Sequence, residues 1–273
     1  MRLYDTETNA LLRTIGGHSH RVGSLAWNSK LSLLSSGSRD SAILSHDPRE
    51  LATTCKFTGA HRQEVCGLEW SPDGKSLASG SNDNTVKIWD SAKLQAERGK
   101  LDASRLTFTE HTAAVKALAW HPTRRNLLAT GGGTNDCTIR FWNTSLGAPD
   151  RTRRKSAVGA GSQVCALLWA KHVPDEILSS HGFDHASGGH PGRSEHPLIL
   201  WNYPQMTKEI VLTGHTSRVL QLAGSPDGRT VVSGSADETL RFWKVFAPPA
   251  GRSAASGAAA AGTMRSSSVC CIR

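Results

Sequence analysis

The chain has 273 residues, 38% of them hydrophobic and 20% charged, and 32 Lys+Arg against 23 Asp+Glu give a formal charge of +9. This balance excludes a disordered chain and fits one large globular domain or two small ones. No apolar run approaches the roughly 20 residues of a membrane helix, and the start, Met1 to Glu7, has no apolar signal segment.

In chain order, Arg2-Leu3-Tyr4-Asp5 reads as the third strand of a sheet unit whose beginning is missing. A repeat then takes over. His18, His61 and His111 each precede a Trp by nine residues (Trp27, Trp70, Trp120). Trp169 keeps that frame with Ala160 in place of the His, and His215 keeps it with Gly224 in place of the Trp. A second register places Asp83, Asp136 and Asp237 six residues before Trp89, Trp142 and Trp243. Asp40 keeps this spacing with His46 for the Trp, and Trp201 closes the fourth copy after an insertion. All eight Trp fall into these two positions. The copies begin at 18, 61, 111, 160 and 215, intervals of 43, 50, 49 and 55 residues. The shortest interval matches the period of a propeller blade, about 40–45 residues, and the others need loop insertions.

Local chemistry agrees. Val65–Trp70 and Val115–Trp120 alternate as short strands, and Ser71-Pro72-Asp73-Gly74 and Ser225-Pro226-Asp227-Gly228 are turns. Leu77-Ala78-Ser79 and Val231-Val232-Ser233 supply second strands, and Thr85–Trp89 and Thr239–Trp243 third strands. The fold expected is all-β: a WD40 β-propeller of four-stranded blades, with five complete repeats and a partial N-terminal blade over 1–246.

Three sets share one pattern: His61, Ser79, Asp83, Trp89; His111, Thr130, Asp136, Trp142; and His215, Ser233, Asp237, Trp243. Ser, His and Asp also build a hydrolase triad. Catalysis needs one such constellation, however, whereas here it recurs once per blade, so a buried structural latch is expected and no catalytic residue. The six cysteines (Cys55, Cys66, Cys137, Cys165, Cys270, Cys271) show no CxxC pair, and reduced thiols are expected. The run Arg151–Lys155 lacks interleaved aromatics, so a solvated or edge-blunting role is expected rather than nucleic-acid contact. The insertion Asp184–His196, with His181 before it, is rich in Gly and His. Without fixed ligand spacing it reads as a solvated loop and not a metal site.

Several stretches carry a closer likeness. They are Ser36-Gly37-Ser38-Arg39-Asp40, His61-Arg62-Gln63-Glu64-Val65-Cys66, Asn82-Asp83-Asn84, Gly131-Gly132-Gly133-Thr134, Arg140-Phe141-Trp142-Asn143-Thr144, Gly161-Ser162-Gln163-Val164-Cys165 and Gly214-His215-Thr216-Ser217-Arg218-Val219-Leu220, closing with Asp237–Trp243. In order, over about residues 2–246, the chain resembles the Fizzy/Fizzy-related proteins, and details such as His61–Cys66 favour the Fizzy-related branch. The resemblance implies a protein that is not an enzyme and needs no cofactor or metal. It would recruit degron-bearing substrates such as cyclins to the anaphase-promoting complex, a ubiquitin ligase, in nucleus and cytoplasm, with no nucleic-acid or membrane partner.

By the same resemblance, a KEN-type degron would meet Asn82, Asn84, Thr134, Gln163 and Arg218, and Glu238 would meet the Arg of a destruction box. The tail 247–273 would be a flexible Ala/Gly/Ser-rich tether ending in Ile272-Arg273, which would dock on a tetratricopeptide subunit of the ligase. The family has seven blades and activating N-terminal motifs. The sequence therefore reads as truncated at its N-terminus, which puts destruction-box binding and activation in doubt. The alternative is a degenerate or general WD40 scaffold without activator activity.

Overall fold

A computed structural model describes residues 1–50, 53–57, 59–92, 99–101, 104–150, 157–182, 196–246 and 269–272. Arg151–Lys155 and the body of the insertion, 183–195, lie outside the described residues.

The chain begins with a two-stranded antiparallel ladder, β1 (Arg2–Tyr4) and β2 (Leu11–Thr14). The first full sheet follows as β3 (Val22–Asn28), β4 (Leu33–Ser38), β5 (Ile43–His46) and β6 (Thr53–Phe57). The second is β7 (Val65–Trp70), β8 (Ser76–Ser81) and β9 (Val86–Asp90). Next, β10 (Gly99–Leu101) returns to add a parallel strand beyond β6, and β11 (Leu106–Phe108) completes the second sheet. The third holds β12 (Val115–Trp120), β13 (Leu127–Gly132) and β14 (Thr138–Asn143), with β15 (Ala148–Pro149) and β16 (Ala157–Gly159) both paired to β14. The fourth runs β17 (Val164–Trp169), β18 (Glu176–His181), β19 (Leu198–Asn202) and β20 (Thr207–Leu212). The fifth runs β21 (Val219–Gly224), β22 (Thr230–Ser235), β23 (Leu240–Lys244) and β24 (Val269–Ile272).

These are the five expected blades. Their inner strands β3, β7, β12, β17 and β21 lie side by side and all carry the same register shift near their first residue. The core is a series of seams between neighbouring blades. Ile43 and Phe57 pack with Val65 and Trp89; Ile88 and Phe108 with Leu128 and Trp142; Phe141 with Trp169 and Trp201; Leu198 and Leu200 with Val231 and Trp243. The Trp that ends an inner strand stitches two of the seams: the Trp120 indole donates to the Glu69 carbonyl at 3.1 Å, and the Trp169 indole to the Ala119 carbonyl at 3.0 Å. Gly80 is required at a seam, because a Cβ there would run into the Val115 carbonyl of the next blade. Among the described residues no helix is long and apolar enough to cross a membrane.

The tail expected to be a tether spans 247–273. Residues 247–268 and Arg273 lie outside the described residues, but Val269–Ile272 is the outer strand of the fifth blade. The first blade has an open flank: Leu25 and Trp27 are 55% and 52% exposed, whereas Trp70, Trp120 and Trp169 at the matching position are buried.

Candidate functional site

The latches close as the spacing predicts. His61 Nδ1 lies 3.0 Å from Asp83 and its Nε2 2.8 Å from the Ser79 hydroxyl, which also accepts the Trp89 indole at 2.9 Å. His215 repeats this with Asp237 at 2.8 Å and Ser233 at 2.7 Å, and Trp243 donates to Ser233 at 2.8 Å. His111 pairs with Asp136 and Thr130, and Trp142 donates to the Thr130 hydroxyl at 2.8 Å. Ser79, Thr130 and Ser233 are fully buried and already accept an indole N–H, so none is an accessible nucleophile.

Members that the spacing argument missed complete each latch. Thr85, Thr138 and Thr239 donate to Asp83, Asp136 and Asp237 at 2.6 Å. The N–H of Arg62 donates to Asp83 and that of Thr216 to Asp237. Burial pushes the Asp83 carboxyl up. Hydrogen bonds from His61, Thr85 and the Arg62 backbone outweigh burial and hold it well below the ordinary carboxylate range. In the first blade His18 bridges Asp40 and Ser36, both at 3.0 Å, but His46 makes no bond to Ser36 and its Nε2 is buried without a partner.

The fourth blade departs most from expectation. With Ala160 in place of the His, His181 at the end of β18 fills the void, its Nδ1 2.9 Å from Ser162 and its Nε2 2.8 Å from Ser179, which accepts the Trp201 indole at 2.7 Å. His181 and His196 are both buried, and His196 Nδ1 donates to the Gly182 carbonyl at 3.0 Å. The two ends of the insertion are thus packed into the blade rather than solvated. Desolvation pushes the His181 imidazole down to about 4. Among the described residues no group of His, Cys, Asp or Glu is placed to hold a metal ion.

The latches fix the loops on one end of the sheets. In the first, second, fourth and fifth blades the residue just before the inner strand is tied by its carbonyl to the turn after the second strand: Arg39 N–H to Arg21, Asn82 N–H to Glu64, Gly182 N–H to Gln163, and Ala236 N–H to Arg218. Gln163 and Arg218 therefore occupy equivalent positions, and Asn82, Asn84 and Thr134 stand in the facing turns of the second and third blades. Asn82 and Arg218 are exposed, and Asn84 donates its amide to the Thr112 carbonyl at 3.2 Å. The Gln163 Oε1 is buried without a hydrogen bond and packs against Gly182. Arg21 and Glu64, at the same loop position in the first two blades, form an ion pair at 2.9 Å that sequence spacing gave no sign of.

Asn84 and Glu238 share a backbone state, with φ of 66° and 63° in the turn between second and third strands. Ser41 and Cys137 take it in their blades. Asn tolerates this left-handed region; Glu is poorly suited to it. Exposed Glu238 is therefore held at its turn against its local preference.

A family model of the CDC20/Fizzy WD40 domain matches residues 1–243. The chain is 48% identical over 250 residues to "Cell division cycle 20.1, cofactor of APC complex" of Arabidopsis thaliana, covering 91% of this chain and 50% of that protein. It is 47% identical over 246 residues to "Protein FIZZY-RELATED 3" of the same organism, covering 90% and 45%. A chain in a crystal structure of the mitotic checkpoint complex superposes with a TM-score of 0.77 at 44% identity, covering 90% of this chain and 68% of that one. The chain thus spans about half the length of the curated relatives it matches. Overall identity does not separate the Fizzy-related branch from the other.

Proposed function

The chain belongs to the CDC20/Fizzy family of WD40 propellers, and from that membership we propose that it is a substrate-recognition co-activator of the anaphase-promoting complex. Asn82, Asn84, Thr134, Gln163 and Arg218 receive a KEN-type degron. Two side-chain amides, a hydroxyl and a guanidinium suit the backbone and Asn of such a peptide, and neighbouring oxygens accept its Lys. Glu238 pairs with the Arg of a destruction box through a charge-assisted contact. Ile272-Arg273 docks on a tetratricopeptide subunit of the ligase, and cyclins and other degron-bearing proteins are the cargo.

The observation that supports the reading is the shared placement of these residues. They stand in matching loops at one end of adjacent blades, held there by the buried latches. A KEN peptide titrated into the protein tests it. Asn82→Ala and Arg218→Ala should each weaken binding about tenfold, the worth of one or two good hydrogen bonds. Absence of KEN binding by the folded wild-type protein would sink the receptor role.

A second reading is a scaffold that binds partners without activating the ligase. Ubiquitination of a KEN-only and a destruction-box-only substrate by the complex plus this protein separates the two readings.

A further inference from the structure

Each inner strand carries its register shift at its second residue, so one residue per blade stands out of the ladder: Gly23, Cys66, Lys116, Cys165 and Leu220. A bulge of this kind re-aims a side chain and releases a carbonyl from its pairing. All of these but Leu220 line one cavity between the inner strands. Lys116 is the one cation of the five, and its Nζ donates to the Leu220 carbonyl at 3.1 Å. That bond joins the third blade to the fifth, past the fourth, whereas the apolar seams join neighbours only.

We propose that Lys116 is a positioning residue for degron binding: it braces the fifth blade against the third and so sets where Arg218 stands relative to Asn84 and Thr134. This rests on the reading of those residues as a KEN-type site. The path from the brace to Arg218 is short and stiff. Leu220 lies two residues after Arg218, the Val219 between them is fully buried, and the Arg218 carbonyl is pinned by the Ala236 N–H at 3.0 Å. A shift of Leu220 is therefore passed on to the Arg218 loop. The other end is equally firm. Val115, next to Lys116, is fully buried, and the Cys66 thiol of the second blade donates to its carbonyl at 3.1 Å. Small angular play at two successive seams would add up across the fourth blade, and a direct tie past that blade removes it. An ammonium–carbonyl bond is charge-assisted and stronger than a neutral one, which suits it to that task. Burial pushes the Cys165 thiol up to about 11, and Lys116 and Arg218 both work against that rise, so the two cations stand within electrostatic range of the same fourth-blade bulge.

A double-mutant cycle on the full chain, read by titration with a KEN peptide, tests the brace. Lys116→Met keeps the bulk of the side chain and removes the donor. Lys116→Gln, too short to reach Leu220, is the second variant should the first fail to fold. Either should weaken binding about fivefold in the wild-type background, the worth of one hydrogen bond. In an Arg218→Ala background the same change should cost less than about twofold, because the residue it positions is gone. Lys116→Arg, which keeps a charged donor, should bind within about twofold of wild type. Equal losses in the two backgrounds would overturn the brace and show that the ammonium meets the peptide itself or acts on the fold at large. A loss from Lys116→Arg as large as that from Lys116→Met would overturn it as well. If the wild type binds and folded Lys116→Met binds equally well, the brace alone fails. If the wild type binds no KEN peptide, the receptor reading fails and the brace with it.

Discussion

Each Asp of a latch is the acceptor for several donors at once, so its removal strands more than one buried group. Asp83 takes bonds from His61, Thr85 and the backbone of Arg62 and Thr85. Asp83→Ala should lower stability to urea by about 1–3 kcal/mol, and Asp83→Asn, which keeps an acceptor, by less. Acid should act in two windows. The His181 imidazole, held at about 4 in the fold against an ordinary 6.5, stays neutral while the unfolded chain takes a proton. Stability should therefore be full above about pH 6.5 and fall as pH drops toward 4; His46, also held at about 4, adds to the same window. Below about pH 4 the depressed Asp83 carboxyl adds a further loss, because the unfolded state is protonated first. Unfolding midpoints measured from pH 8 to 3 check this. A His181→Gln variant should be less stable at neutral pH yet show a flatter slope between 6.5 and 4, and an unchanged slope would count against the assignment. Glu238 is a third residue-scale case, since its left-handed backbone suits Asn better. Glu238→Asn should raise stability by up to about 1 kcal/mol while weakening a destruction-box peptide.

At the scale of elements, the seam between blades sets what a strand tolerates. The second strand of one blade lies so close to the inner strand of the next that a Cβ at Gly80 would meet the Val115 carbonyl. Gly80→Ala should cost about 1–3 kcal/mol by thermal or urea unfolding, because neither backbone has room to yield. The same architecture explains what the sequence revealed. His61, Ser79, Asp83 and Trp89 were legible because every partner sits at a fixed offset within one blade, and repetition separated a latch from a catalytic triad. His181 was not legible: it takes the place of the His that Ala160 replaces from the neighbouring strand, at the end of β18, so the geometry of the void is kept while the spacing is lost. Its sequence neighbours, Gly-rich and His-rich, pointed to a solvated loop instead. The β24 pairing escaped for a related reason. Nothing local in Val269–Ile272 marks it as the partner of β23, and a strand contributed from so far along the chain leaves no periodic signal. The peptide-facing residues were legible only through family likeness, since an isolated Asn or Gln in a turn is ordinary chemistry.

At the scale of the molecule, the five blades of the described residues share four seams, so the stability of this array is close to a sum of blades and nearest-neighbour joints rather than one cooperative core. Equivalent residues should then differ in worth according to whether a neighbour stands on their side. Trp120 is buried and its indole is bonded to the preceding blade, whereas Trp27, at the matching position, is 52% exposed. Trp120→Ala should cost about 3–5 kcal/mol by urea unfolding, and Trp27→Ala should stay within about 0.5 kcal/mol. Acrylamide should quench a fraction of the tryptophan emission that disappears in a Trp27→Phe variant. If Trp27 proves shielded from quencher, or as costly to remove as Trp120, then its flank is covered in solution by another surface. A dilution series would then distinguish a second copy, whose cover is lost at low concentration, from a segment of the same chain, whose cover persists.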